Sequence, residues 1–424
     1  VWQDGDTTSV TIGAGQTEKV DVSSKDEVGT EGGAHNTNVA TVVVDGGTLE
    51  ILDGNRLLNN GLKNSLFNVK SGTVTIAGRT EGNTGTDHNA VASVDTDNIL
   101  IEGGDITLGK KDQAGSYMLG WESFKMTGGK LTINDGAEIR VNNELEEGMV
   151  LAGGEVVLNG SAASEDKVAR IYINDRDAHQ DSALHLDGVK VTVAEGAFGE
   201  IAAPKIAMTA GSIDLAKKST LNVASSADGF TMTGGSITIG EEATAKFGMD
   251  VKVAGGSITN KGGYFEANSL TLSNGGKFTS ALNGETFGAA QINLQDGGIL
   301  NLTELNSKLE GGALLVSGAG ETPLTVILDG GEVRLNDSTY TGQYKIGEKS
   351  DVGIVNIRSG EYHASKIWFG AAESNALTVE QDADLHVALL DATNGTTTIK
   401  GDLYADKVQL GAAATEDAPA VQAA

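Results

Sequence analysis

Residues 124–134 read FKMTGGKLTIN, and residues 230–240 read FTMTGGSITIG. Both place two alternating apolar triplets around a glycine pair. VVVDGGTLEIL (42–52) and ILIEGGDITLG (99–109) repeat the pattern, as do FNVKSGTVTIA (67–77), MVLAGGEVVLN (149–159) and VILDGGEVRLN (326–336). Period-2 alternation over three or four residues marks a short strand with one buried face. The second glycine falls at Gly47, Gly72, Gly104, Gly129, Gly154, Gly188, Gly211, Gly235, Gly256, Gly276, Gly298, Gly331 and Gly360. Unit recurrence at a few tens of residues marks a repeat architecture.

The repeat predicts an all-β fold, specifically a parallel β-helix (β-solenoid) with about 20–25 residues per coil. A propeller blade needs four strands per unit, and a leucine-rich repeat needs a helix. The glycines supply sharp corners between strands. Where the first glycine becomes Ser71, Asp187, Ala210 or Ser359, the second remains, so the second position is expected to require φ > 0. Near 377–387 the corner carries Ala383, and a different turn is expected there. The reading places a single continuous domain over 1–410, followed by a disordered Ala/Pro/Glu linker tail over 411–424. The opening VWQDGD without methionine reads as a mature or excised fragment.

Composition narrows function. Aromatics at 4% and 59 glycines argue against an ordinary α/β enzyme of this length. With no cysteine there is neither disulfide nor thiolate chemistry. The net charge of −28 disfavours nucleic acid and anionic membranes as partners. No apolar run reaches the roughly 18 residues of a membrane-spanning helix.

Four excursions interrupt the repeat, and the one between Gly298 and Gly331 contains GGALLVS, which reads as an extra coil in place of a loop. Residues 78–98 hold Asp87, His88, Asp95 and Asp97, and residues 159–187 hold Asp175, Asp177, His179 and Asp181. The second group is a candidate cation or ligand contact, with calcium as the one cofactor considered and none required. The alternative is a solvated turn, because Asp and Asn cap turns through their own backbone. Tyr340 and Tyr344 in 336–351 are candidates for surface recognition; the alternative is that they cover apolar surface. His185 alternates with Leu184 and Leu186 and is expected to point outward. No Walker loop, HExxH, GxSxG, EF-hand loop or calcium-binding nonapeptide occurs, nor do the Gly-His-Gly and Arg-Ile-Lys signatures of polygalacturonases.

The Gly-rich, cysteine-free, acidic strand repeat resembles the β-helical passenger domains of Gram-negative autotransporters and related large bacterial surface adhesins, over about residues 10–410. The resemblance implies a non-enzymatic adhesin or rigid stalk, extracellular and anchored to the outer membrane through a C-terminal region not in this chain. Its implied partner is a protein or glycan on a host or neighbouring cell, with no nucleic acid and no membrane insertion of this segment. Two further readings stand beside it. One is a structural surface-layer or filament protein associating end to end. The other is a polysaccharide lyase or hydrolase, since β-helices also carry such enzymes.

Overall fold

The computed structural model describes residues 9–20, 35–38, 40–58, 64–78, 92–113, 115–141, 148–164, 167–173, 182–225, 229–267, 269–272, 276–280, 290–294, 299–302, 308–310, 314–318, 324–329, 332–334, 343–346, 353–369, 375–393 and 395–410. The chain forms two compact units, Val1–Asp228 and Gly229–Ala424. Among the described residues, every pairing between named strands is parallel in both units.

In the first unit, three ladders run side by side, each passing through eight strands. The first starts at Ser9–Gly13 and continues through Thr41–Ile51, Leu66–Ile76, Ser93–Ile101, Ser116–Met126, Met149–Leu151, Ala183–Val193 and Lys205–Leu215. The second starts at Thr17–Val20 and shares four of those strands. Between them it adds Asp105–Leu108, Lys130–Ile133 and Glu155–Leu158. The third runs from His35–Asn38 through Asn55–Leu58, Ser93–Ile101, Ser116–Met126, Ala137–Val141, Ala169–Ile173 and Phe198–Ala202 to Thr220–Ala224.

The apolar triplets supply the core. Leu131 and Ile133 from one strand and Val156 and Leu158 from its neighbour are fully buried, while Lys130, Thr132 and Val157 alternate outward. The third ladder adds Val94, Met118, Ile139, Ile171 and Leu221, also fully buried. Asp135, 0% exposed, pins the turns beside this core. It accepts hydrogen bonds from the backbone N–H groups of Asp112 and Ser161, each at 2.8 Å.

These ladders correct the expected parallel β-helix (β-solenoid) of about 20–25 residues per coil. That reading stacked open coils of separate short strands that meet at glycine corners. Here Thr41–Ile51, Leu66–Ile76, Ala183–Val193 and Lys205–Leu215 run straight through the glycine position and belong to two ladders each. Ser93–Ile101 and Ser116–Met126 likewise join the first ladder to the third. The result is one closed parallel sheet, barrel-like in enclosing its core and carrying extra strands, and not an open solenoid. The physical reason is that the glycine pair acts as a bulge that shifts register within a strand. Register shifts fall at Asp45, opposite Ser71, and at Asp187, opposite Ala210. The sequence step between paired strands is also uneven, along the first ladder alone from 22 residues (Leu184 to Ile206) to 35 (Met149 to Leu184).

Backbone geometry at the glycines separates two causes. Gly129 and Gly154 have φ of 80°, and a Cβ on Gly154 would sit 2.5 Å from the carbonyl oxygen of Gly129 in the adjacent strand. At the 42–52 corner the roles divide differently from expectation. Gly46 takes the positive φ (87°), and Gly47 is needed because a Cβ there would lie 2.6 Å from the Gly13 carbonyl oxygen.

The second unit repeats the plan. Its first ladder runs from Gly229–Met232 through Asp250–Val253, Ser269–Leu272, Ile299–Leu302, Leu324–Asp329, Gly353–Phe369 and Asn375–Ala392 to Gly395–Ile399. Where Asp382–Ala383 replaces the glycine pair, the 18-residue strand Asn375–Ala392 passes the corner without a break. Phe230, Phe247, Phe265 and Phe278 fill this core, with successive ring centroids 5.3, 5.4 and 5.5 Å apart. Residues 411–424 lie outside the described residues.

Candidate functional site

The outward side of the third ladder in the first unit concentrates charge of both signs. Its core positions are Leu57, Val94, Met118, Ile139 and Ile171, so alternation turns Arg56, Ser93, Asp95, Tyr117, Glu138, Arg140, Arg170 and Tyr172 away from the core. The register then fixes who meets whom. Glu138 lies between Tyr117 and Arg170, Arg140 is opposite Tyr172, and Arg170 is opposite Glu200.

Two groups result. In the first, Arg56 pairs with Asp95, and the indole N–H of Trp121 donates to the other carboxylate oxygen. Although outward-pointing, Arg56 and Asp95 are 6% and 1% exposed. Beside them, the backbone N–H of Asp97 donates to Ser65 Oγ at 2.8 Å, Thr96 Oγ1 donates to the same oxygen at 3.0 Å, and Ser123 Oγ donates to Asn98 Oδ1 at 2.7 Å. These hydrogen bonds tie the buried and part-buried polar groups of this patch to one another, as burial favours.

In the second group Arg140 Nε pairs with Glu138, and its guanidinium carbon sits 4.8 Å from the Tyr172 ring centre. Arg170 Nε lies 3.3 Å from Glu200 Oε2. Burial pushes the Glu138 carboxyl above its ordinary value, against the opposing pull of Arg140 and, behind it, Arg170. A carboxylate left so poorly solvated holds its charge at a cost, even beside a cation. Chemically, the face can hold its own charges in alternation. Its three arginines are each matched by a carboxylate.

Asp95 and Asp97, read in the sequence as part of an excursion, stand instead within the strand Ser93–Ile101. The excursion 159–187 likewise contains the strand Ala169–Ile173, which carries Arg170 and Tyr172. Asp175, Asp177, His179 and Asp181 lie outside the described residues, as do Asp87, His88, Tyr340, Gly298 and Gly331. Tyr344 occupies a strand position in register with Leu314 and Ile367. His185 sits between the buried Leu184 and Leu186, half-exposed and in register with Val150 and Ala207. The calcium reading rests on residues outside the described ones; among the described residues, no group of three or more His, Asp or Glu could hold a metal ion. Sequence reasoning missed Arg56, Trp121, Glu138 and Glu200. The available signal was their alternation with apolar residues, which shows direction but not partner.

The chain matches no known family model, no curated protein and no solved structure. Nothing in these comparisons identifies an autotransporter passenger domain, and the closed sheet departs from the β-helix on which that resemblance rested. Among the described residues no helix is long and apolar enough to cross a membrane.

Proposed function

We propose that this chain is a non-enzymatic cell-surface or secreted scaffold that binds, or holds apart, surfaces through its strand faces. The observation that carries this reading is the outward side of the second ladder. Lys130, Glu155 and Lys190 stand in register on consecutive strands, with Lys130–Glu155 and Lys190–Glu155 contacts of 3.2 and 3.6 Å. Two residues along, Thr75, Thr107 and Thr132 form a second column. With strands about 4.8 Å apart, such columns repeat one chemistry at a fixed spacing, which suits an extended, repetitive partner such as a polysaccharide or a protein strand. Binding along such a face needs neither pocket nor cofactor.

The test is binding of the purified chain to an array of glycans and matrix proteins, with and without calcium, beside a Lys130→Ala/Lys190→Ala variant. Saturable binding weakened by the double substitution supports recognition through this face. Release of product from any arrayed glycan sinks the non-enzymatic reading.

One observation favours end-to-end self-association as a second reading. Tyr404 (41% exposed) and Leu410 (49%) are the exposed large hydrophobic side chains among the described residues. Both lie on Asp402–Leu410, whose described pairing is with Asn375–Ala392 alone. Such an edge is a template for another strand. A mass that stays monomeric by light scattering over a hundredfold concentration range rules this out.

A further inference from the structure

We propose that Glu138 is a proton-operated latch on the third ladder: ionised, it neutralises Arg140, and protonated, it leaves that guanidinium's charge uncancelled on the sheet surface. The geometry supplies three elements of such a device. Glu138 is 4% exposed although its side chain faces outward, so water compensates its charge poorly. Arg140 has a second anchor in the Tyr172 ring, which holds the guanidinium in place after the carboxylate is neutralised. Glu200, the other carboxylate on this face, is already engaged by Arg170 and so does not replace the lost partner of Arg140.

The described groups that face Glu138 come from four strands. They are Arg140 on its own strand, Tyr117 on Ser116–Met126, Arg170 and Tyr172 on Ala169–Ile173, and Glu200 on Phe198–Ala202. With Glu138 ionised, the four charged groups cancel. With it protonated, one positive charge remains, on an Arg140 side chain that is 25% exposed. In a chain of net charge −28, that turns a locally neutral patch positive. The burial-driven rise of the Glu138 carboxyl sets the direction of the linkage. A carboxyl raised in the folded state binds its proton more tightly there than in the unfolded chain. Folding therefore gains stability as pH falls through the folded-state value, and the gain is complete below the ordinary glutamate value. This inference does not depend on the scaffold reading.

The experiment compares melting temperatures of the full chain and its Glu138→Gln variant from pH 8 to pH 4. Subtracting the two profiles removes the contribution of the other carboxylates. The wild type is expected to gain on the variant as pH falls. Glu155→Gln is expected to show the opposite slope, because the hydrogen bond from Lys130 holds the Glu155 carboxyl below its ordinary value. Should Glu138→Gln fail to fold, carbon-13 NMR titration of side-chain-labelled glutamates in the wild type reads the same group, assigned through Glu138→Asp. Parallel melting profiles, or a Glu138 resonance that titrates at or below the ordinary value, would overturn the proposal.

Discussion

Substituting Gly129 by alanine tests how the sheet passes its corners. Two costs act at this position. The residue has φ of 80°, where an L side chain costs about 1–2 kcal/mol. A Cβ there would also lie 2.6 Å from the carbonyl carbon of Gly103 and 2.7 Å from the carbonyl oxygens of Gly103 and Gly104. These are backbone atoms of the adjacent strand course and cannot swing aside, so a further overpacking cost of about 1–3 kcal/mol is expected. Gly196 provides the control. Its φ is 67°, yet nothing lies within 4 Å of a Cβ built there. Gly196→Ala therefore carries the conformational cost alone, partly offset by about 0.4–1 kcal/mol from restricting the unfolded chain. With the same offset applied to both, urea unfolding followed by circular dichroism should place Gly129→Ala at about 1–4.5 kcal/mol of destabilisation and Gly196→Ala at about 0–1.5 kcal/mol, with equal m-values. If both variants cost the same within about 0.5 kcal/mol, close approach of backbones is not why glycine stands at this corner.

Four other outcomes are expected. Phe247→Ala should cost about 3–5 kcal/mol, because its ring is 1% exposed and packs against both Phe230 and Phe265; thermal melting reads it. Arg56→Met strands the buried Asp95 carboxylate and should cost about 3–5 kcal/mol, whereas Arg56→Met with Asp95→Leu should recover much of that loss. The Lys130–Glu155 pair is substantially exposed, so Glu155→Gln should change neutral-pH stability by no more than about 0.5 kcal/mol. The small contribution of ionised Glu155 is present at neutral pH and lost as pH falls through its depressed folded-state value. Melting temperature should rise between 10 mM and 150 mM salt as screening shortens from about 30 Å to about 8 Å, since the net charge is −28; a flat profile would show that self-repulsion is unimportant.

The strands with glycine pairs were legible because alternation shows directly which side chains turn inward. Leu131, Ile133, Val156 and Leu158 follow from KLTI and EVVL alone. The third ladder was not, since NRLL, AEIRV, FGEIA and TLNVA carry no glycine pair and are too short to stand out. The closure of the sheet escaped for a related reason. A glycine pair looks the same in sequence whether it ends a strand, as after Met126, or bulges within one, as at Asp45–Gly47. The charged face required register across long gaps: Arg56 and Asp95 are 39 positions apart. Each reads alone as an ordinary surface charge. Neither residue type nor spacing shows that burial will bring them together.

The parallel ladders also bear on how such a chain acquires its structure. In the first unit most strands pair with one that left the ribosome a few tens of residues earlier, as Val42 pairs with Phe67 and Phe124 with Met149. Closing a loop of that size costs about 3 kcal/mol in the length-dependent part of its entropy, and the toll is nearly the same at every step. Assembly can therefore advance directionally, each finished course serving as template for the next, without waiting for the far end of the chain. A protein built this way should begin gaining protease resistance while still being synthesised, from its N-terminal side onward.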